Sequence, residues 1–237
     1  MLDRTKVFLT LLLIFLLASC GKSEKFFLIE GELDNPSGIS TVFLEELNEE
    51  TLDYKVISIS QVIDGKFRFR QKFVEPKLRY LRFTGKKERL AVLLEENVSL
   101  KINTKSILKS KVLTGFENSF LFDYNAKSLA IREQSLQFKK KNSKLMKIAR
   151  DANNKKVVDS LLKVNYEINH GYIDNMEKHL LTNPNNYVSL MLIDGLFEYP
   201  NVKKSKIERY YKTLNDKYKD MSLGREIKNK LDRMKQD

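Results

Sequence analysis

Cys20 is the single cysteine among 237 residues, and its thiol is the side chain best suited to covalent chemistry. One cysteine excludes, within one chain, a disulfide scaffold, a CxxC redox site, a thiolate zinc site and an iron–sulfur cluster. The position of Cys20 near the amino terminus makes the residues before it the first context to examine.

The residues before Cys20 have the organisation of a bacterial export signal. Arg4 and Lys6 give a positive start, and residues 7–17 form an almost unbroken apolar run, VFLTLLLIFLL. This run is too short to cross a bilayer, which needs about 20 residues, but its length is typical of a signal-peptide core. We therefore expect residues 1–19 to be a removable signal peptide.

The box Leu17-Ala18-Ser19-Cys20 resembles the lipobox of bacterial lipoproteins. Its small residues allow a peptidase to approach the backbone, and the thiol of Cys20 can form a thioether to a diacylglyceryl group. The resemblance implies cleavage after Ser19 and lipidation of Cys20, with 20–25 as a lipidated tether. Two or more acyl chains give stable anchoring, so we expect a membrane-anchored lipoprotein of the Gram-negative envelope, periplasm-facing or surface-exposed.

Arginine is concentrated in one short segment, which contains five of the eleven arginines: Arg68, Arg70, Arg79, Arg82 and Arg89. Within a strand Arg68 and Arg70 share one face, and Arg79 and Arg82 fall on opposite faces of the next strand. These four are candidates for an anion-binding patch that would take carboxylate or phosphate. The favoured alternative is a solvated sheet face whose arginines pair with glutamates nearby, namely Glu45, Glu46, Glu49 or Glu50.

The formal net charge is +12, and most of it lies in the second half of the chain. Residues 20–115 carry +3, and 116–237 carry +8. A dense run from Lys139 to Lys156 contains eight basic residues against Asp151 alone, and it suggests a turn between helices near Asn153. Such a run is either a solvated surface or a contact for anionic lipid or an acidic polymer. An exported protein rarely meets nucleic acid, so we expect no nucleic-acid partner.

No catalytic or cofactor motif is present. The chain lacks HExxH, GxSxG and a glycine-rich phosphate loop. His170 and Asp174 would share a helix face, but no third ligand accompanies them, and His179 would face away from His170. We therefore expect no metal, no cofactor and no enzymatic activity.

Period-two alternation and short apolar runs predict strands from Phe26 to about Thr114. The predicted strands are 26–33, 41–47, 54–62, 66–73, 78–84, 89–94 and 98–103. Asp64-Gly65 between two of them is typical of a tight hairpin. The short strand spacing predicts an antiparallel β-sandwich or open barrel over 26–115.

Helical periodicity begins after Gly115 and predicts a helical domain over 116–237. The predicted helices are 118–150, 155–182, 186–197, 203–215 and 222–235, with Ser222 as an N-cap. The third is apolar nearly all round and is therefore expected to be buried. The fold class is α+β, a β domain followed by about five helices.

The order of several short motifs resembles a known family. These motifs are FFLIEGEL at 26–33, DGKFRF at 64–69, EPKLRYLRF at 75–83, VLTGFEN at 112–118 and NPNNYVSLMLI at 183–193. Together they resemble the family numbered 4369 among domains of unknown function, with its usual helical follow-on. Members occur in exported or lipid-anchored proteins of Gram-negative bacteria, commonly ahead of a thioredoxin-like disulfide reductase domain.

The chain departs from this pattern because it has no reductase domain and no WCxxC site. The first hypothesis is therefore a lipid-anchored envelope protein with a non-enzymatic binding or scaffold role, whose partner is an envelope protein or an anionic polymer. The alternative is an accessory partner in trans of a thioredoxin-like thiol-disulfide oxidoreductase. A third hypothesis is an envelope enzyme with an unrecognised site.

We predict that Cys20 is acylated in cells. Metabolic labelling with a fatty-acid probe should mark the wild-type protein and leave the Cys20→Ala variant unlabelled, because the thioether requires the thiol. Equal labelling of the two proteins would contradict the prediction.

Overall fold

The computed structural model describes residues 26–48, 50–72, 75–200 and 202–234. The predicted signal peptide, Ser19, Cys20 and the tether lie outside the described residues, as does Glu49.

The amino-terminal half consists of two four-stranded sheets. The strands are β1 (Phe26–Leu33), β2 (Thr41–Leu47), β3 (Tyr54–Gln61), β4 (Lys66–Lys72), β5 (Leu78–Phe83), β6 (Arg89–Leu93), β7 (Val98–Ile102) and β8 (Lys111–Thr114). The strand orders are β4-β1-β7-β8 and β3-β2-β5-β6. The predicted α+β class and the sandwich are confirmed. The pairing is not wholly antiparallel, because β1 and β7 run in parallel, and the short strand β8 was not predicted.

Alternating apolar side chains of the two sheets form the first core. Phe27 and Ile29 of β1, Leu44 of β2 and Phe83 of β5 are at most 2% exposed. The ring of Phe67 covers Gly31, where a Cβ atom would lie 2.3 Å from the ring carbons. Gly31 in the FFLIEGEL segment therefore allows β4 to pack its phenylalanine against β1.

Asp64 and Gly65 form the predicted tight turn, with φ angles of 51° and 74°. Ile63 and Lys66 exchange two backbone hydrogen bonds of 2.9 Å across it. Positive φ at both central residues is the signature of a type I′ turn. The strands on either side then diverge into different sheets, so the turn is local and the pairing beyond it is not a simple hairpin.

Six α-helices lie in the described part of the carboxy-terminal half, where about five were predicted. They are α1 (Phe116–Asp151), α2 (Lys155–Thr182), α3 (Tyr187–Gly195), α4 (Lys204–Thr213), α5 (Asp216–Lys219) and α6 (Ser222–Arg233). The turn between α1 and α2 lies where the basic run predicted it. Asn153 has a φ angle of 52°, and the Asn154 side chain accepts a hydrogen bond from Val157 N–H as the α2 cap.

The second core surrounds α3, as its apolar sequence predicted. Val188, Leu190 and Ile193 are at most 1% exposed and pack with residues of α4, α5 and α6. Leu93 of β6 belongs to this core too. The helical half is therefore packed directly onto the sandwich.

The sandwich has two distinguishable ends. At one end, which we call the base, β1 begins, and Leu28 N–H donates to the Glu96 carbonyl in the β6–β7 turn. At the other end, the far end, the Asp34 carboxylate after β1 accepts from Thr104 N–H (2.9 Å) after β7. Helix α1 starts at the base and reaches the far end at Glu133, which pairs with Lys109 at 3.0 Å.

Glu95 fixes the start of α1 at the base. Its carboxylate accepts hydrogen bonds from the Glu117 N–H (3.1 Å) and the Asn118 N–H (3.0 Å), two donors that the helix leaves free. Gly115 precedes the helix with a φ angle of 131°, and a Cβ atom there would lie 2.7 Å from the Glu95 carboxylate. Glycine is therefore required by both conformation and space.

Asn118 attaches the same turn of α1 to the open edge of β6. Its side-chain oxygen accepts from Leu93 N–H (2.9 Å), and its side-chain nitrogen donates to the Leu93 carbonyl (2.8 Å). The amide thus pairs with β6 as a neighbouring strand would. Asn118 is fully buried, so each bond satisfies a backbone group that water cannot reach.

Glu117 performs a similar role for α3. Its buried carboxylate accepts from Tyr187 N–H (2.6 Å) and from the Tyr218 hydroxyl (2.9 Å). Burial raises the pKa of Glu117, and it also raises the pKa of Tyr218. The two hydrogen bonds of Glu117 therefore link α1 to α3 and to α5 in a low-dielectric setting.

A third carboxylate caps α6 across the same junction. The predicted N-cap role of Ser222 is wrong, because Ser222 is the first helical residue and its own hydroxyl and N–H both donate to Glu75. These two bonds lower the pKa of Glu75. The connection between β4 and β5 therefore caps a helix at the opposite end of the sequence.

We predict that Glu117→Ala lowers the free energy of unfolding by about 1–3 kcal/mol, because it leaves Tyr187 N–H buried without an acceptor. Glu117→Gln keeps an acceptor and should cost less.

The pH dependence of stability should differ between the wild type and Glu117→Gln. Since the native pKa is raised above 4.5, the native state holds this proton more tightly than the unfolded chain, and stability falls as pH rises from about 4.5 through the raised value. Glu117→Gln should lack that decline. Burial lowers the pKa of His179 and gives an opposite trend below about pH 6.5, which both proteins share. The free energy of unfolding of both proteins is measured by urea titration at several pH values from 4 to 8. Equal pH dependence of the wild type and Glu117→Gln would refute the prediction.

Candidate functional site

The structure separates the four arginines that sequence reasoning grouped as an anion site. Arg68 and Arg70 lie on β4 in one sheet, whereas Arg79 and Arg82 lie on β5 in the other. Arg68 is exposed and pairs with Glu30 at 3.3 Å, and Arg70 lies over the Phe26 ring at 4.8 Å. The expectation that the strand after β4 would add its arginines to the same patch is therefore wrong, since β4 and β5 are not neighbours in a sheet.

The β5 arginines pair with glutamates of β2, as in the alternative that the sequence favoured, but the cluster is not on a fully solvated face. Glu45 is buried and accepts from Arg82 Nε (2.5 Å) and Arg89 Nε (2.8 Å). The guanidinium groups lie 3.9 Å from the ring centroids of Phe43 and Tyr54 respectively. These cations stabilise the outer face of the sheet and are already bound to an anion.

Arg79 lines a polar cleft of about 930 Å³ between the sandwich and helices α3 and α6. It pairs with Glu46 at 2.6 Å, and across the cleft Lys230 pairs with Asp194 at 2.7 Å. The Nε atom of Arg79 is buried without a partner. The cleft therefore joins the two halves by paired charges, and the charged residues that line it outside these pairs are of mixed sign, among them Glu50, Lys77 and Glu198.

The histidines do not form a metal centre. His170 is exposed, with its Nε2 atom 3.8 Å from Asp174, whereas His179 is buried beside Asn186. Within 26–48, 50–72, 75–200 and 202–234, no group of three or more His, Cys, Asp or Glu is arranged to hold a metal ion.

The strongest candidate site is the distal half of the α1–α2 hairpin. We call residues 134–168 the arm. Past Glu133, which marks the far end of the sandwich, α1 continues for 18 residues, or about 27 Å at 1.5 Å per residue. Absence of glycine and proline from α1 allows this length, and α2 returns alongside it.

The arm carries a concentrated and unpaired positive charge. Nine lysines and arginines stand against three carboxylates, and all nine are exposed: Lys139, Lys140, Lys141, Lys144, Lys147, Arg150, Lys155, Lys156 and Lys163. Among the described residues none of the nine has a carboxylate within 4.0 Å, in contrast to the β5 arginines. This charge is available to a partner.

The arm also leaves many of its apolar side chains exposed. Of its 35 residues, only Ser135 and Ala149 are buried. The seam between its helices contains polar groups, since Ser135 Oγ donates to Asn169 Oδ1 (3.2 Å) and Asn165 Oδ1 is buried without a partner. A hairpin with so little apolar burial gains little stability from its own packing.

A groove of about 660 Å³ runs between the two helices along one side of the arm. Ile131, Phe138 and Lys141 of α1 line it, opposite Val164 and Ile168 of α2. Gln134 lines the groove too, so the α1 positions 131, 134, 138 and 141 are separated by three, four and three residues.

Continuing that spacing reaches Leu145 and Ile148, which are 47% and 65% exposed. Sequence reasoning recognised the lysines but missed this apolar stripe. Its heptad-like repeat runs through 131, 134, 138, 141, 145 and 148, of which four are apolar and Gln134 and Lys141 are polar.

Comparison with protein-family models, with curated proteins and with solved structures found no match. The resemblance to the family numbered 4369 among domains of unknown function therefore stays a prediction. None of the helices in the described part of the chain is both long and apolar enough to cross a bilayer.

We predict unequal effects of Arg→Lys at the two groups of arginines. Arg82→Lys should lower the free energy of unfolding by about 1–3 kcal/mol, because lysine lacks both the Nε donor to Glu45 and the planar group that stacks on Phe43. Arg68→Lys, at an exposed pair, should stay within about 0.5 kcal/mol. Urea titrations measure both free energies of unfolding. Equal losses would contradict a larger stabilising contribution from the arginines bound to buried Glu45.

Proposed function

We propose that this chain is a lipid-anchored, non-enzymatic binding protein of the Gram-negative cell envelope, and that the arm is its binding element. The partner that fits best is an acidic amphipathic helix of another envelope protein, seated in the arm groove. The observation that carries the proposal is the combination, on one projecting hairpin, of nine unpaired cations with an uncovered apolar stripe.

The chemistry of the groove selects the kind of partner. A helix presents apolar side chains at spacings of three and four, which match Phe138, Leu145 and Ile148 on the arm. Carboxylates flanking such a helix would meet Lys141 and Lys144 at the groove margin. A second copy of the arm would bring a like charge of +6 and is disfavoured by repulsion.

The direction of the arm favours a partner that is not the anchoring membrane. The first described residue, Phe26, enters at the base, whereas the arm leaves from the far end. If Cys20 is acylated, the six residues 20–25 span at most about 20 Å between membrane and base. The arm would then project away from that membrane, toward other components of the envelope.

The alternative role, partner in trans of a thioredoxin-like oxidoreductase, stays a prediction from the family resemblance. The two roles are compatible if the oxidoreductase carries an acidic amphipathic helix that binds in the arm groove.

The test uses the soluble chain from Gly21 onward, because both hydrophobic cores lie within the described residues and are kept. The probe is a helical peptide of about three heptads with leucine on one face and glutamate on the other. Fluorescence anisotropy should show binding that weakens as salt rises. Leu145→Gln/Ile148→Gln should weaken binding at least about tenfold, and Lys141→Glu/Lys144→Glu should do the same.

Two controls test whether binding depends on the arm and on the negative charge of the peptide. Lys87→Glu/Lys228→Glu makes the same charge change outside the arm and should leave binding unchanged. A peptide with lysine in place of glutamate should not bind. Tighter binding to vesicles containing anionic phospholipid than to the acidic peptide, or no loss in the arm variants, would refute the proposed partner.

A further inference from the structure

An apolar cleft lies between the proximal half of α1 and the sandwich, away from the arm groove. It has a volume of about 570 Å³, which is within the range of small-molecule sites. Its walls are β6, the segment 108–111 and the face of α1 from Phe122 to Glu133. Small side chains on α1, Ala126 and Ala130, leave the space open.

The floor and the rim of this cleft differ in chemistry. Leu90, Leu108, Phe122, Leu129 and Tyr172 contribute largely apolar surface to the floor. A ligand part that contacts this floor would gain by leaving water, at roughly 0.8 kcal/mol per CH₂ group buried.

Four cations surround the opening, and two of them are uncommitted. Lys109 is paired with Glu133, and Arg89 is paired with Glu45. Lys111 on β8 and Arg132 on α1 have no carboxylate within 4.0 Å among the residues that the structure describes. The rim can therefore receive one anionic group.

We propose that this cleft binds a single-chain amphiphile with a carboxylate head, such as a long-chain fatty acid. The acyl chain lies on the apolar floor, and the carboxylate is held by Lys111 and Arg132. Complementary charge at the rim, above a floor that favours a hydrocarbon, distinguishes this ligand from a polar metabolite. The proposal is independent of the arm, because none of these residues lies within 134–168.

The experiment measures palmitate binding to the chain from Gly21 onward by titration calorimetry, with hexadecanol and lysophosphatidylglycerol as comparison ligands. Palmitate should bind at least about tenfold more tightly than hexadecanol, which has the same chain length and no charge. Failure of palmitate to bind, equal binding of hexadecanol, or tighter binding of lysophosphatidylglycerol would overturn the assignment.

Two variants locate the ligand within the cleft. Lys111→Glu/Arg132→Glu should weaken palmitate at least about tenfold and leave hexadecanol unchanged, whereas Leu129→Gln should weaken both. The controls are Lys87→Glu/Lys228→Glu and Leu181→Gln, which repeat the same chemical changes at exposed positions outside both the cleft and the arm. Equal losses in the controls would refute the site. Melting curves check that each variant is folded, and the comparison of ligands on the wild type decides the question if one is not.

Discussion

The carboxylate of Glu95 at the start of α1 is the interaction on which the rest of the arrangement depends. It accepts hydrogen bonds from two helix N–H groups that have no partner within the helix. In the same helical turn, the Asn118 side chain continues the hydrogen bonding of β6. The first turn of α1 is thereby fixed to the sheet in both position and direction. Glu117 and Glu75 extend the principle, because each caps a further helix from a distant part of the chain.

The rigid start of α1 makes the projection of the arm possible. A helix held at its first turn and braced by the Lys109–Glu133 pair can extend beyond the sandwich with little support of its own. The arm accordingly has a polar seam and few buried side chains. Its apolar residues and cations are free for intermolecular contact, which is where their burial and pairing would contribute free energy.

Two uses of positive charge coexist in the molecule. In the sandwich, Arg82 and Arg89 are partly buried, paired with the buried Glu45 and stacked on rings, so they contribute to stability. On the arm, lysines are exposed and separated from carboxylates. Lysine suits the second use because its ammonium group is strongly hydrated and needs no fixed geometry, whereas the planar guanidinium suits the first.

The sequence by itself determined the secondary structure closely, including β1, β2 and α2 within their observed bounds and the turn at Asn153. Local periodicity, turn residues and the absence of glycine and proline contain that information. It also favoured pairing of the clustered arginines with Glu45, Glu46, Glu49 or Glu50, and the structure selects Glu45 and Glu46 for those of β5. Only the tertiary structure decided that β4 and β5 belong to different sheets, that β1 pairs in parallel with β7, and that Glu95 rather than a local residue caps α1. These contacts join residues far apart in sequence, and their energies depend on which groups are desolvated together, which no local pattern encodes.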